Sequence, residues 1–106
     1  MRLFSSREYR AAVISAIMFL ENALRDRLDL PKVQPRRPMP LRELLERAKQ
    51  QELLENVQIH KVLEWLKVRN EVVYSQRTVS RSTADQIVRG VLDIVRGLDE
   101  RRGRSA

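Results

Sequence analysis

The stretch "VRNEVVYSQRT", residues 68–78, holds the side chains best suited to chemistry in this chain. Arg69 offers a planar, permanently charged guanidinium, a ligand for phosphate or carboxylate. Asn70 beside it brings an amide that both donates and accepts hydrogen bonds. Tyr74, five positions after the arginine, carries a phenol and an aromatic face. A tyrosine is a poor general base at neutral pH, but it donates a hydrogen bond and stacks on a nucleobase. Arg77 and Arg81 follow in the polar segment "SQRTVSRS".

The arginine and the asparagine stand at unexpected places. On a wheel of about 100° per residue, Arg69 falls between Trp65 and Val62, and Asn70 between Ile59 and Leu63. Both sit on the core-facing arc near the C-terminal end of a helix. A buried guanidinium needs acceptors, because its desolvation otherwise costs several kcal/mol. Glu21, at the edge of the apolar arc of the first helix, is the expected partner. Two arrangements satisfy these residues. One is an internal Arg69–Glu21 pair, with Asn70 holding a neighbouring backbone group. The other is a polar pocket at the helix end that binds a phosphate.

The elements that must position these residues are helical. Three glycines and the absence of any strictly alternating stretch leave only the helical period, which predicts an all-α fold. The first helix is expected from about Ser6, a cap residue, to Leu28. Its apolar half gathers Phe19, Ala12, Ala23, Ala16, Tyr9, Leu20, Val13, Leu24, Ile17 and Leu28, with Ile14 and Met18 beyond that arc. A helix apolar around more than half its girth is either central or carries a dimer face. The segment "LPKVQPRRPMP", residues 30–40, holds all four prolines and reads as a stiff connector carrying Arg36 and Arg37. A second helix starts near Pro40, with the stripe Leu41, Leu44, Leu45 and Ala48. The third runs from about Val57 to Val73, with the arc Trp65, Val62, Val73, Leu66, Ile59 and Leu63. The fourth runs from about Thr83 to Leu98, with Ser82 and Asp85 resembling a capping box. Residues 1–100 read as one domain and residues 101–106 as a basic, disordered tail.

Composition narrows the chemistry. A chain of 106 residues, 42% of them hydrophobic, builds one modest core, and domains of this size often gain stability by dimerising. With no cysteine and a single histidine, His60, disulfides and thiolate sites are excluded and a His-based metal site is disfavoured. No cofactor is expected. Lys and Arg number 21 against 14 Asp and Glu, a net charge of +7 that favours an anionic partner or reflects an Arg-rich soluble surface. The longest apolar run, Ala11 to Leu20, is half the ~20 residues a membrane span needs, and no cleavage site follows it. The expectation is a soluble, cytoplasmic protein without a membrane partner.

"LKVRNEVVYS" followed by "TADQIVRGVLDIVRGL", with "FLENALRDRL" in the first helix, resembles the HEPN family (higher eukaryotes and prokaryotes nucleotide-binding). The resemblance spans about Ser6 to Leu98. It implies an antiparallel bundle of four or five helices that pairs as a homodimer, with an Arg-Asn motif and, four to six residues on, a histidine. Active members are metal-independent ribonucleases of toxin–antitoxin and antiviral systems. By that likeness Arg69 holds the phosphate, Asn70 supports the motif, and Tyr74 stands where the histidine belongs. His60 lies about 80° from Asn70 on the wheel and more than two turns away, so it does not replace the missing base.

Three functions follow as expectations. The first is a HEPN-like dimer that binds RNA or nucleotide through Arg69, Asn70 and Tyr74, aided by Arg77 and Arg81, with little or no cleavage. The second is a non-catalytic interaction module that partners a nucleotidyltransferase antitoxin, with Arg69 as an internal salt-bridge residue. The third is an active metal-independent endoribonuclease that uses Arg69 and Tyr74.

Overall fold

The computed structural model describes residues 6–28, 39–75 and 77–104, with side chains from residue 8 to residue 100 of these. Among the described residues four helices follow in order: α1 (Ser6–Arg27), α2 (Leu41–Gln50), α3 (Asn56–Ser75) and α4 (Arg81–Arg104). Among the described residues there is no strand, and the architecture is an all-α bundle. Ser6 begins α1, but its side chain, like Arg36 and Arg37 of the connector, lies outside the described residues.

Helix α1 is central. Val13, Ile17, Leu20 and Leu24 are fully enclosed. The helix packs against all three others, most extensively against α4. A helix apolar around more than half its girth buries that surface only by having several neighbours. Phe19, at the edge of the expected arc, remains 47% exposed.

Helix α2 buries Leu41, Leu44, Leu45 and Ala48. Pro40 precedes it in an extended conformation, and its carbonyl accepts from the Leu44 N–H at 3.0 Å. The helix ends in a Schellman motif. The Leu53 N–H reaches the Ala48 carbonyl at 2.8 Å, and the Glu52 N–H reaches the Lys49 carbonyl at 3.1 Å. Glu52 takes the left-handed position, with φ 58°, where glycine is the usual residue. This turn returns the chain so that α3 runs back along α2. Lys49 shares a groove with Asn56 and His60, and Arg42 stands against Leu63.

Helix α3 encloses Val62, Trp65, Leu66 and Val72. Val73, expected on the buried arc, is 45% exposed, and Val72 takes the inner place. In the last turn the inward side is the one facing α1, where Arg10 Nη2 donates to the Val72 carbonyl at 2.8 Å. The indole of Trp65 leans on α4 at Gly90. A Cβ built there would stand 2.4 Å from two indole carbons, so this close approach requires glycine.

Helix α4 buries Ile87, Val91, Ile94 and Leu98. Its cap is Ser80, not the expected Ser82. The Ser80 Oγ accepts from the Thr83 N–H at 3.1 Å, and its carbonyl accepts from the Ala84 N–H at 3.0 Å. The buried Val79 and Ala84 flank this turn at the positions of a hydrophobic staple, which sets the helix start two residues earlier. At the other end the helix continues through Arg104.

The bundle also departs from an all-antiparallel arrangement. Ala12, Ser15 and Phe19 of α1 lie against Val88 and Leu92 of α4, and further along Arg27 pairs with Asp99. Helices α1 and α4 thus run in the same direction. Helix α2 is short, so the three long helices α1, α3 and α4 alternate, and the first and third of such a set are parallel.

Candidate nucleic-acid interface

The last two turns of α3 carry the motif, and three ties hold them. Arg10 caps the Val72 carbonyl, one of the four that a helix end leaves without partners. The Ser75 hydroxyl donates to the Glu71 carbonyl at 2.7 Å. Arg77 returns from the following segment to the Glu71 carboxylate at 3.2 Å.

Arg69 is half-buried, with 28% of its side chain exposed, rather than enclosed in the core. Its Nη1 stands 3.8 Å from the Glu21 Oε1, and its Nε donates to the Asn70 Oδ1 at 3.0 Å. The Glu21 Oε2 also takes Arg25 Nη2 at 3.3 Å, and that nitrogen donates to the Met39 carbonyl at 3.1 Å. One carboxylate thus faces two guanidiniums. This network joins α1 to α3 and to the residue leading into α2. No polar or charged side chain among the described residues is fully buried, so the network belongs to the rim of the core.

Tyr74 is 83% exposed. With Asn70, Glu71, Ser75, Leu63 and Lys67 of α3 and Arg42 of α2, it lines an open groove. Five residues of helix separate Arg69 from Tyr74 by about 140° around the axis. Arg69 accordingly turns toward α1 while Tyr74 turns outward, and Asn70 links the two environments. Within one chain Asn70 and Tyr74 share a groove, and Arg69 stands behind them in its salt bridge. Arg77, paired with Glu71, borders that groove. Arg81 is exposed in the first turn of α4.

His60 is exposed and lies in a neighbouring groove between α2 and α3, with Arg42, Glu46 and Lys49. It is not gathered with the motif. Arg42 and Lys67 were not anticipated as site residues. Lys67 stands seven residues before Tyr74 and so nearly at the same angle, a signal present in the outward half of the wheel. Arg42 belongs to another helix, and no wheel of α3 contains it.

Among the described residues no three His, Asp or Glu side chains stand together as metal ligands, and no helix is long and apolar enough to cross a membrane. Comparison with protein-family models, with curated proteins and with solved structures yields no match for this chain.

Proposed function

We propose that the protein is a HEPN-like homodimer that binds RNA or nucleotide without efficient cleavage. The observation that carries this reading is Tyr74, an aromatic ring 83% exposed in a groove shared with Asn70, Arg42 and Lys67. An exposed ring beside cations is the arrangement that stacks an unpaired base and holds its phosphate. The Asn70 amide faces the same groove and reads a base edge. Arg69 adds positive charge from behind, moderated by Glu21. No histidine lines the groove at Tyr74, and His60 stands about 21 Å along α3 from it, which argues against proton transfer there in the manner of the family's ribonucleases. The net charge of +7 supports an anionic ligand.

The test is fluorescence anisotropy of short single-stranded RNA over a salt series. Binding should weaken as salt rises, with a log–log slope of about −0.7 per phosphate contact. Tyr74→Ala should lower affinity about tenfold, since base–aromatic stacking is worth about 1–3 kcal/mol, while leaving the fold intact. Salt-independent binding that survives both Tyr74→Ala and Arg69→Ala would sink the proposal. An assay with Mg²⁺ chelated and high protein concentration should give no cleavage product; product lost on Tyr74→Phe would instead establish the ribonuclease. Sedimentation should report a dimer.

A second reading is an interaction module, for which a nucleotidyltransferase antitoxin is the proposed partner. The Glu21–Arg69–Arg25 network favours it, because it gives Arg69 a structural task. Met18, Phe19 and Leu92, all outward-facing on α1 and α4, supply apolar surface for such a partner or for the dimer. An Arg69→Ala variant that loses stability and leaves RNA affinity unchanged would select this reading.

A further inference from the structure

The Tyr74 groove does not end at Lys67. It shares Arg42 and Leu63 with the groove that holds His60, Lys49, Glu46 and Asn56. The two adjoin at Arg42 and Leu63 to make a trough along α2 and α3. On α3 its wall is His60, Leu63, Lys67, Glu71 and Tyr74, spaced three or four residues apart, so they form one stripe along the helix. On α2 the facing wall is Arg42, Glu46 and Lys49, spaced in the same way. The stripe from His60 to Tyr74 rises about 21 Å at about 1.5 Å per residue.

We infer that this trough is a binding track for single-stranded RNA of roughly four to six nucleotides, running along α3 from Tyr74 to His60. The inference rests on the RNA-binding reading of Tyr74 and extends it. Each end of the trough carries a ring able to stack on a base, Tyr74 at one and the imidazole of His60 at the other. At the His60 end the floor is apolar, with Leu45, Ile59 and Leu63, and toward Tyr74 the lining is Lys67, Asn70 and Glu71. Arg42, Lys49 and Lys67 stand along the rims where a phosphate backbone would lie. Two carboxylates interrupt the positive charge. Glu71 is engaged by Arg77, and Glu46 lies between Arg42 and Lys49 on the same face of α2. Rings and an apolar floor are of use only to bases whose faces are free, which selects a single strand over a duplex. A stacked strand advances about 3.4 Å per nucleotide, so about 21 Å holds about six stacked nucleotides, and fewer when the bases splay.

Labelled oligouridylates of two, four, six and ten nucleotides and a ten-base-pair RNA duplex test this by anisotropy. Affinity should rise at least tenfold from the dinucleotide to the hexanucleotide. Lys49→Glu should weaken the hexanucleotide at least fivefold and leave the dinucleotide unchanged, because Lys49 lies at the far end from Tyr74. Lys49→Gln, which keeps helix propensity in the last turn of α2, should weaken the hexanucleotide about threefold with unaltered circular dichroism. If the dinucleotide binds as tightly as the hexanucleotide and both depend on Tyr74, the Tyr74 site stands and the track is overturned. Tighter binding of the duplex than of the hexanucleotide also overturns the track. If no oligonucleotide binds in a Tyr74-dependent way, the RNA reading itself fails, and the track with it.

Discussion

The guanidinium of Arg10 donates to the carbonyl of Val72 at 2.8 Å, tying the start of α1 to the end of α3 across 62 residues of sequence. That bond does for the end of α3 what a glycine cap does elsewhere. It satisfies an orphan carbonyl just where Tyr74 must be held in position. A charge-assisted bond of this kind, partly shielded from water, contributes about 1–2 kcal/mol. Arg10→Ala should lower unfolding stability by that amount in urea denaturation. An unchanged midpoint would show that water replaces Arg10 without loss.

Gly90 and Gly97 should respond with opposite signs. Both lie in α4, where alanine is intrinsically favoured over glycine by about 1 kcal/mol. At position 97 nothing lies within 4 Å of the added methyl, so Gly97→Ala should raise the melting temperature by a few degrees. At position 90 the methyl meets the Trp65 indole at 2.4 Å. That ring is 8% exposed and part of the core, so moving it costs about 1–3 kcal/mol. Gly90→Ala should therefore destabilise, with an altered Trp65 emission, since this is the single tryptophan of the chain.

Glu52 occupies the left-handed position of the α2 Schellman turn with φ 58°. A side chain there strains the backbone by about 1 kcal/mol relative to glycine. Glu52→Gly should stabilise the protein by about 0.5–1 kcal/mol, the relief of strain outweighing the added freedom of the unfolded chain. Thermal denaturation followed by circular dichroism checks the sign.

On the proposed RNA-binding reading, Glu21 and a bound phosphate would compete for Arg69. The carboxylate stands 3.8 Å from Arg69 and 3.3 Å from Arg25. Glu21→Gln should leave both guanidiniums without their counter-charge, lowering stability by about 0.5–1.5 kcal/mol at this partly exposed site. The same change should raise RNA affinity severalfold, because Arg69 is then free to meet phosphate. Reduced affinity at low salt would contradict the placement of Arg69 behind the groove.

How much of this could be read beforehand varies by residue. The all-α class and the helical elements were legible because periodicity is a property of a single helix, whereas wheel angle named Glu21 as a partner for Arg69 without deciding the pair. Ser80 as the cap of α4 was not. The choice between Ser80 and Ser82 depends on Val79 being buried, which is decided by the packed core. The exchange of Val72 for Val73 has the same origin, since the inward side of a last turn is set by the neighbour that meets it.

By itself the sequence determined the helical elements, the positive charge and the unusual placing of Arg69, Asn70 and Tyr74, because each follows from local spacing and residue chemistry. Only the tertiary structure decided that Arg69 turns to Glu21 while Tyr74 faces solvent. It also decided that α1 and α4 run in the same direction, and that Arg42 borders both the groove of Lys49 and His60 and the groove of Lys67 and Tyr74. Those are relations between helices. They depend on the Schellman turn at Glu52, the Trp65–Gly90 contact and the central position of α1, which fix how one helix is rotated and shifted against the next.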